Sequence, residues 1–417
     1  MNPDKNILFI NEFYHPDIVA SATVLADRLP RLARLREDWR ITVLTGNRAW
    51  NEPTRIHPPV NTHKGVRIVR VRRPSVSGRS LARRILGFAA FEHRAVRAAR
   101  RLGRIDLVVA TTAPPRGARI ARKIARAHGC PYVYTVLDLY PDLVATLGRL
   151  SSSSLIYRYW RSGDTRAMRD AAAVVTISQG IADRIARTRD IEAAELLTIY
   201  DGFDPARVEI DGDLNTFQQA SNPQGRFVVQ YAGNMGLSHP FETIMEACRL
   251  LADREDILFQ FIGDGPGRAY VRDRLPPNGR IWDYQPAEHL GPLLATADVC
   301  LISQHEAMYD QALPYKIYAI LAAGRPAIFI GNERSEVAEW LKTHQAGLHV
   351  DQGCPADLAD AIRTLRSDPE QAASMGQAAR AFFDDRLDAQ RSAEQWAELI
   401  DRLLGTKTAV PPHRPDD

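Results

Sequence analysis

Candidate chemistry in this chain gathers where short apolar runs end in glycine. Tyr231-Ala-Gly-Asn-Met-Gly236 and Phe261-Ile-Gly-Asp-Gly-Pro-Gly267 each read as a buried strand entering a glycine-rich turn before a helix. Such turns let backbone N–H groups and a helix N-terminus face an anion. Neither has the spacing of the dinucleotide fingerprint or the P-loop. A third feature lies between Asp310 and Gly331. It reads as a helix from Pro314 to Ala323, closed by Gly324 and followed by a buried strand, Ala327 to Ile330. Lys316 falls in the first turn of that helix, where the dipole disfavours a cation. An anion held jointly by the helix end and the ammonium resolves the conflict; snorkelling to solvent is the alternative. Three such features in one half of the chain point to a diphosphate. Gly233, Asn234, Gly236, Gly263, Asp264 and Gly265 are then candidates to surround it.

The other half offers carboxylates. Asp138 ends an apolar run beside Tyr140, Pro141 and Asp142. There it could take a hydroxyl's proton or orient a substrate, or act as a turn residue; Asp142 is the better candidate for a cap. Tyr14, His15 and Asp17 lie in the loop after the first strand, and His15 reads equally well as structural. Ser178 reads as a helix N-cap. Glu306, after the strand Val299 to Ile302, either bonds a substrate hydroxyl or is merely solvated.

The elements that must position these residues alternate. Strands at Ile7 to Asn11, Ile41 to Thr45, Val66 to Val71, Leu107 to Thr111, Tyr132 to Leu137 and Ala173 to Ile177 are separated by amphipathic helices, among them a long basic one, Leu81 to Leu102. Asp201 to Gly225 is rich in Asp, Gly, Asn, Pro and Gln and reads as a linker. The alternation then restarts at Phe227. Apolar strands spaced by helices indicate an α/β protein with parallel sheets covered on both faces. Two such doubly wound domains in tandem leave a cleft between the carboxyl ends of their strands. The expected division is residues 1–205, residues 206–385, a helix at 386–405 returning to the first domain, and a disordered tail at 406–417.

A length of 417 residues exceeds what one core supports. No apolar run reaches the roughly 18–20 residues of a membrane span, and the first residues lack the layout of a signal peptide. Cys130, Cys248, Cys300 and Cys354 are far apart and read as reduced thiols, with no metal site or disulfide framework. The net charge of +4 conceals a polarity. Residues 61–126 carry 18 Lys or Arg against Glu92 and Asp106, leaving the remainder of the chain at −12. So uneven a chain is expected to meet something anionic, unless these are only solvated helix faces.

Taken together, Asn11-Glu-Phe-Tyr-His-Pro-Asp17, Val43-Leu-Thr-Gly46, Val136-Leu-Asp-Leu-Tyr-Pro-Asp142, Val175-Thr-Ile-Ser-Gln-Gly180, Tyr231 to Gly236, Phe261 to Pro266 and Pro314 to Pro326 resemble the family 4 glycosyltransferases of the GT-B fold. The likeness is greatest to the branch that builds bacterial surface polysaccharides, such as the amino-sugar and fucosamine transferases. The resemblance implies a nucleotide-diphosphate sugar in the second domain, an acceptor in the first, and transfer with retention and without a metal or other cofactor. It implies UDP as the default nucleotide, read near Trp282 to Tyr284. It casts Asp138, Lys316 and His15 as catalytic, and places Tyr284, Glu306, Pro314, Tyr315 and Tyr318 about the donor with the glycine turns. Tyr14, Asp17, Tyr140 and Asp142 fall about the acceptor. Two glutamates usual in the family are Gln311 and Ala319 here, its usual arginine is Asn234, and His239 stands near its usual lysine. A Pro-x-Lys-x-Tyr pattern, met by Pro314, Lys316 and Tyr318, accompanies such departures in some polysaccharide transferases.

The resemblance also implies a lipid-linked or saccharide acceptor. The basic stretch, Leu81 to Arg104 above all, is then expected to meet the anionic inner face of the plasma membrane from the cytoplasm. Nucleic acid is the rival partner and is set aside, since no nucleic-acid module is present. Two other readings stay open: a nucleotide-sugar 2-epimerase of the same fold, and a non-catalytic sugar-nucleotide-binding protein.

Overall fold

The computed structural model describes residues 5–50, 52, 54–73, 81–192, 196–209, 222 and 224–405. The expected disordered tail at 406–417, and residues 210–221 of the expected linker, lie outside the described residues. Two sheets form, as the alternation requires.

The first is built from β1 (Lys5–Ile10), β2 (Trp39–Gly46), β3 (Val60–His63), β4 (Val66–Val71), β5 (Leu107–Thr111), β6 (Tyr132–Val136), β7 (Ala173–Thr176) and β8 (Leu196–Thr198). Its order is β3-β4-β2-β1-β5-β6-β7-β8. Every pair is parallel except β3 with β4. The second holds β9 (Phe227–Ala232), β10 (Ile257–Ile262), β11 (Gly279–Trp282), β12 (Val299–Ser303), β13 (Ala327–Ile330) and β14 (Gly347–Val350), in the all-parallel order β11-β10-β9-β12-β13-β14. Central strands such as β5 and β10 are buried along their whole length, because helices cover both faces.

Each sheet reverses direction once. β1 lies between β2 and β5, and β9 lies between β10 and β12. In doubly wound sheets the crevice at such a reversal, outside the carboxyl ends of the strands, is where ligands bind. Here those ends are Asn11 and Thr112 in the first sheet, and Gly233 and Gln304 in the second.

The last helix, Ala389–Leu404, crosses to the first domain. Phe203 N–H bonds Leu387 O and Phe203 O accepts from Ala389 N–H at the crossing, and the Asp388 side chain caps the helix through Gln390 N–H. Trp396, Ala397, Leu399 and Ile400 then join Ile7, Phe9, Leu25 and Leu29 in one buried cluster. A second cluster runs from Tyr134 and Ile181 in the first domain to Ile317, Phe329 and Phe383 in the second, so the domains share a core on one side of the cleft.

Three strands, β3, β11 and β14, were not anticipated from the pattern. All three are sheet edges. An edge strand packs fewer apolar side chains and leaves a weaker signal. All four cysteines are free. No described helix is long and apolar enough to cross a membrane.

Candidate active site

At the second reversal the two glycine turns interlock. Gly233 N–H bonds Ile262 O, Met235 N–H bonds Asp264 O, and Gly267 N–H bonds Met235 O. Gly233 and Gly263 hold φ of 130° and 133°, conformations that favour glycine. A Cβ on Gly263 would lie 2.0 Å from Gly233 O, so the turns approach as closely as backbone permits. Gly263 N–H and Gly265 N–H are spent within the platform, on Trp282 O and on the Asp264 carboxylate. Asn234 and Gly236 N–H stand outside this internal ladder.

Lys316 is brought to this platform from the other side of the reversal. The helix begins at Lys316 itself, two residues later than the pattern suggests, and ends at Ala322. Its Nζ is buried and finds no hydrogen-bond acceptor. The ammonium sits 3.4 Å above the centre of the Tyr231 ring, a cation–π contact. A Cβ on Gly233 would lie 3.4 Å from Nζ, so the ammonium borders the first turn directly. Burial pulls the Lys316 pKa down to about 7.

His239 is beside it. Its Nδ1 is 2.6 Å from Ser303 O, which ties the first turn to the end of β12. Burial, with the nearby Lys316 charge adding to it, lowers the His239 pKa to about 4. A neutral His and a lysine that titrates near neutrality therefore face the same space, and both would gain protons if a polyanion entered.

The remaining donor-side candidates divide. Tyr284 is 41% exposed at the rim, close to Asp264. Glu306 is exposed in the short turn after β12, where its N–H bonds Gln352 Oε1. Pro314 precedes the Lys316 helix and accepts from Ile317 N–H. Tyr315 and Tyr318 point away from the glycine turns. Tyr318 OH accepts from Asp201 N–H at 3.3 Å and its ring meets Trp340, while Tyr315 meets Phe203. Both tyrosines belong to the core shared by the domains.

On the facing side, Asp138 pairs through its backbone with Ala312, and Leu139 N–H bonds Gln311 O. This bridge sets the end of β6 against the segment that leads into Lys316. Burial, with Asp201 nearby, raises the Asp138 carboxyl to about 6. Gln311 is 1% exposed; it accepts from Thr146 Oγ1 and donates to Ala307 O. It ties the domains together.

The acceptor-side candidates are largely engaged internally. Tyr14 is buried and its hydroxyl has no partner. His15 stacks on His63 with ring centres 3.8 Å apart, and burial followed by Arg70 lowers its pKa. Asp17 accepts from Trp50 N–H and lies 3.7 Å from His57 Nε2. Asp142 is not a cap: it pairs with the buried Arg189, and Arg184 stands 3.7 Å away. Tyr140 stacks on Trp160 at 5.9 Å. Ser178 caps its helix, accepting from Ile181 N–H. Among the described residues no three His, Cys, Asp or Glu side chains gather as a metal site.

Comparison with known proteins decides the family. The model of the "Glycosyl transferase 4-like domain" matches residues 22–202, and that of "Glycosyl transferases group 1" matches residues 226–368. Together they cover most of the chain. The chain belongs to the family 4 glycosyltransferases. It is 24% identical over 313 residues to WbjE of Pseudomonas aeruginosa, named as a glycosyltransferase, spanning 73% of this chain and 76% of that one. It is 25% identical over 235 residues to WcaI of Escherichia coli K12, named as a colanic acid biosynthesis glycosyl transferase, spanning 53% and 56%. Its fold is similar to that of a sucrose-phosphate synthase from Thermosynechococcus elongatus, with a TM-score of 0.77 at 16% identity over 97% of this chain and all of that one. The Anabaena protein HepE in complex with UDP-glucose follows at 0.72, with 16% identity over 95% and 99%.

Two positions in this glycosyltransferase escaped the sequence reading. Glu12 lies two residues beyond β1 at the first reversal and pairs with Arg73 at 2.6 Å. Its signal was its place, just beyond an apolar strand. Arg268 donates to Gly263 O and Trp282 O and pairs with Asp283 at 2.7 Å, bracing the second glycine turn. The glycine turn just before Arg268 is local to it, but Trp282 and Asp283 come from another segment and nothing near Arg268 announces them.

Proposed function

We propose that this glycosyltransferase moves a sugar from a nucleotide-diphosphate sugar, with UDP as the nucleotide, to a lipid-linked or saccharide acceptor in surface polysaccharide biosynthesis. Transfer proceeds with retention and without a metal. The observation that carries the reading is the Lys316 ammonium: buried, without an acceptor, and bordering the paired glycine turns. A diphosphate there supplies the missing acceptor. As the bond from the sugar to the diphosphate breaks, charge develops on the departing oxygen. A fixed ammonium and fixed N–H groups stabilise that charge without reorganising. His239, held by Ser303 O, adds a second ring nitrogen at the same place. Asp138 orients the acceptor hydroxyl, or takes its proton as the new bond forms.

The name of WbjE supports glycosyl transfer, and the colanic acid biosynthesis named for WcaI supports the polysaccharide setting. The UDP and UDP-glucose complexes of HepE support the nucleotide. An anionic membrane surface completes the reading, reached from the cytoplasm through the basic first domain.

The test is thermal unfolding with a panel of nucleoside diphosphates. Saturating UDP, at about a hundred times its dissociation constant, adds about 2.7 kcal/mol. Lys316→Ala removes that gain. If no nucleoside diphosphate stabilises the protein, the donor site is wrong. If sugar inversion at carbon 2 occurs without an acceptor, the epimerase reading replaces this one.

A further inference from the structure

From Phe91 onward the apolar side of the basic helix Leu81–Ala99 is spent on the core: Phe91, 2% exposed, packs with Ala95 and Ala99 against Leu8, Val108 and Ile120. An exposed apolar edge sits on another helix. In Leu155–Arg169 the side chains of Leu155, Ile156 and Tyr159 are 78%, 51% and 71% exposed. Apolar residues lying singly on a surface need no explanation, but three within five residues form a patch.

Charge surrounds the patch. Arg158 lies between its members and is exposed, and Arg166 and Arg169 continue the same face. Arg119, on the adjoining helix Gly117–His128, reaches Tyr159 OH at 3.4 Å. That helix also carries Arg122 and Arg126, which share Asp170, and Lys123, which shares Glu92 with Arg119, so its cations outnumber the carboxylates they meet. The one carboxylate within Leu155–Arg169 is Asp164, which is buried and bonded to Tyr134 OH. An apolar edge flanked by arginines, with no exposed acid on either helix, has the chemistry of an interfacial surface. Arg158 and Arg166 are exposed and pair with no carboxylate among the described residues, and a protein partner with a purely apolar face would leave them unanswered.

We propose that the Leu155–Tyr159 edge inserts at the headgroup level of an anionic bilayer, with Arg158 and Arg166 on the lipid phosphates. The next residue on this helix, Trp160, stacks on Tyr140, two residues beyond Asp138. The edge therefore adjoins the acceptor side of the cleft, and a lipid-linked acceptor would arrive beside Tyr140. Only that last step rests on the transferase reading.

The experiment is co-sedimentation of the full chain with vesicles of phosphatidylglycerol in phosphatidylcholine, and with phosphatidylcholine alone, at low and high salt. UDP stabilisation of each variant is measured separately, so that membrane binding and the donor site can fail independently. The wild type is expected to bind the anionic vesicles and to release them at high salt. Replacing Leu155, Ile156 and Tyr159 together by Ser should weaken binding about tenfold or more. Arg158→Glu should weaken it about tenfold. Both variants should keep the UDP-induced shift. Equal binding to neutral vesicles, or losses confined to Arg97→Glu on the Leu81–Ala99 helix, would overturn the assignment. So would absence of vesicle binding with a self-association that the triple variant abolishes, since the edge would then cover a second copy of the chain.

Discussion

A buried lysine without an acceptor destabilises the protein that carries it, and Lys316 does so beside the glycine platform. Its pKa is about 7 in the folded chain against an ordinary 10.5. Between those values the unfolded chain holds the extra proton, so this group makes stability rise as pH climbs from 7 to 10.5. Lys316→Met should therefore raise the stability of the free protein at pH 7 by about 1–3 kcal/mol and flatten that slope, as followed by thermal unfolding across pH. The same variant should lose the UDP response and about a hundredfold in kcat. Because a diphosphate would recharge the amine, UDP binding near pH 8 should take up protons. Calorimetry in buffers of different ionisation enthalpy measures this, and Lys316→Met should lose it. For Asp138, with a carboxyl at about 6, transfer should fall as pH drops through 6. Asp138→Asn should lower kcat about a hundredfold or more while UDP still stabilises. Unchanged transfer would remove Asp138 from the chemistry.

At the level of elements, the platform is two βα turns that touch backbone to backbone. Gly263 cannot gain a side chain without moving Gly233, because the added carbon would meet Gly233 O at 2.0 Å. The φ of 133° adds strain of its own. Gly263→Ala is expected to cost about 3 kcal/mol, seen as a fall in melting temperature of about 5 °C or more, and to abolish the UDP response. A variant that melts normally and still responds would mean that the turns are looser than this contact requires. The helix of Lys316 shows how one element serves two sites. Lys316 faces the glycine turns, while Tyr318, two residues on and on the opposite side, reaches Asp201 in the shared core.

For the whole molecule, the contacts between the domains are polar as well as apolar. Asp310 in the second domain pairs with Arg184 and Arg187 of the first at 2.8 and 3.0 Å. Glu336 accepts from Tyr200 OH at 2.6 Å. The returning helix Ala389–Leu404 completes the first domain's core with Trp396, which is 1% exposed. Arg28 stacks on the Trp396 ring at 5.3 Å and bonds Asp201. Trp396→Ala should cost about 3–5 kcal/mol, measured by denaturant unfolding. The loss should appear in the first domain although the substitution lies near the end of the chain. Normal stability would mean that the helix docks only loosely.

The alternation of apolar runs and helices determined the class of fold, and the two glycine-rich strand ends marked the donor-side platform. Both are local signals: burial on two faces demands unbroken apolar strands, and a tight turn at positive φ demands glycine. Tertiary structure alone decided what each side chain does. Asp17 and Asp142 look alike in the sequence to Asp138, yet Asp17 is held by Trp50 N–H and Asp142 by Arg189, while Asp138 stands beside Asp201 and is raised to about 6. From Phe91 onward the apolar side of the Leu81–Ala99 helix faces the core, and an exposed apolar edge that the sequence pattern did not single out lies at Leu155–Tyr159. The physical reason is the same in each case. Periodicity sets which residues share a face, whereas partner, burial and pKa come from segments that meet only when the chain has folded.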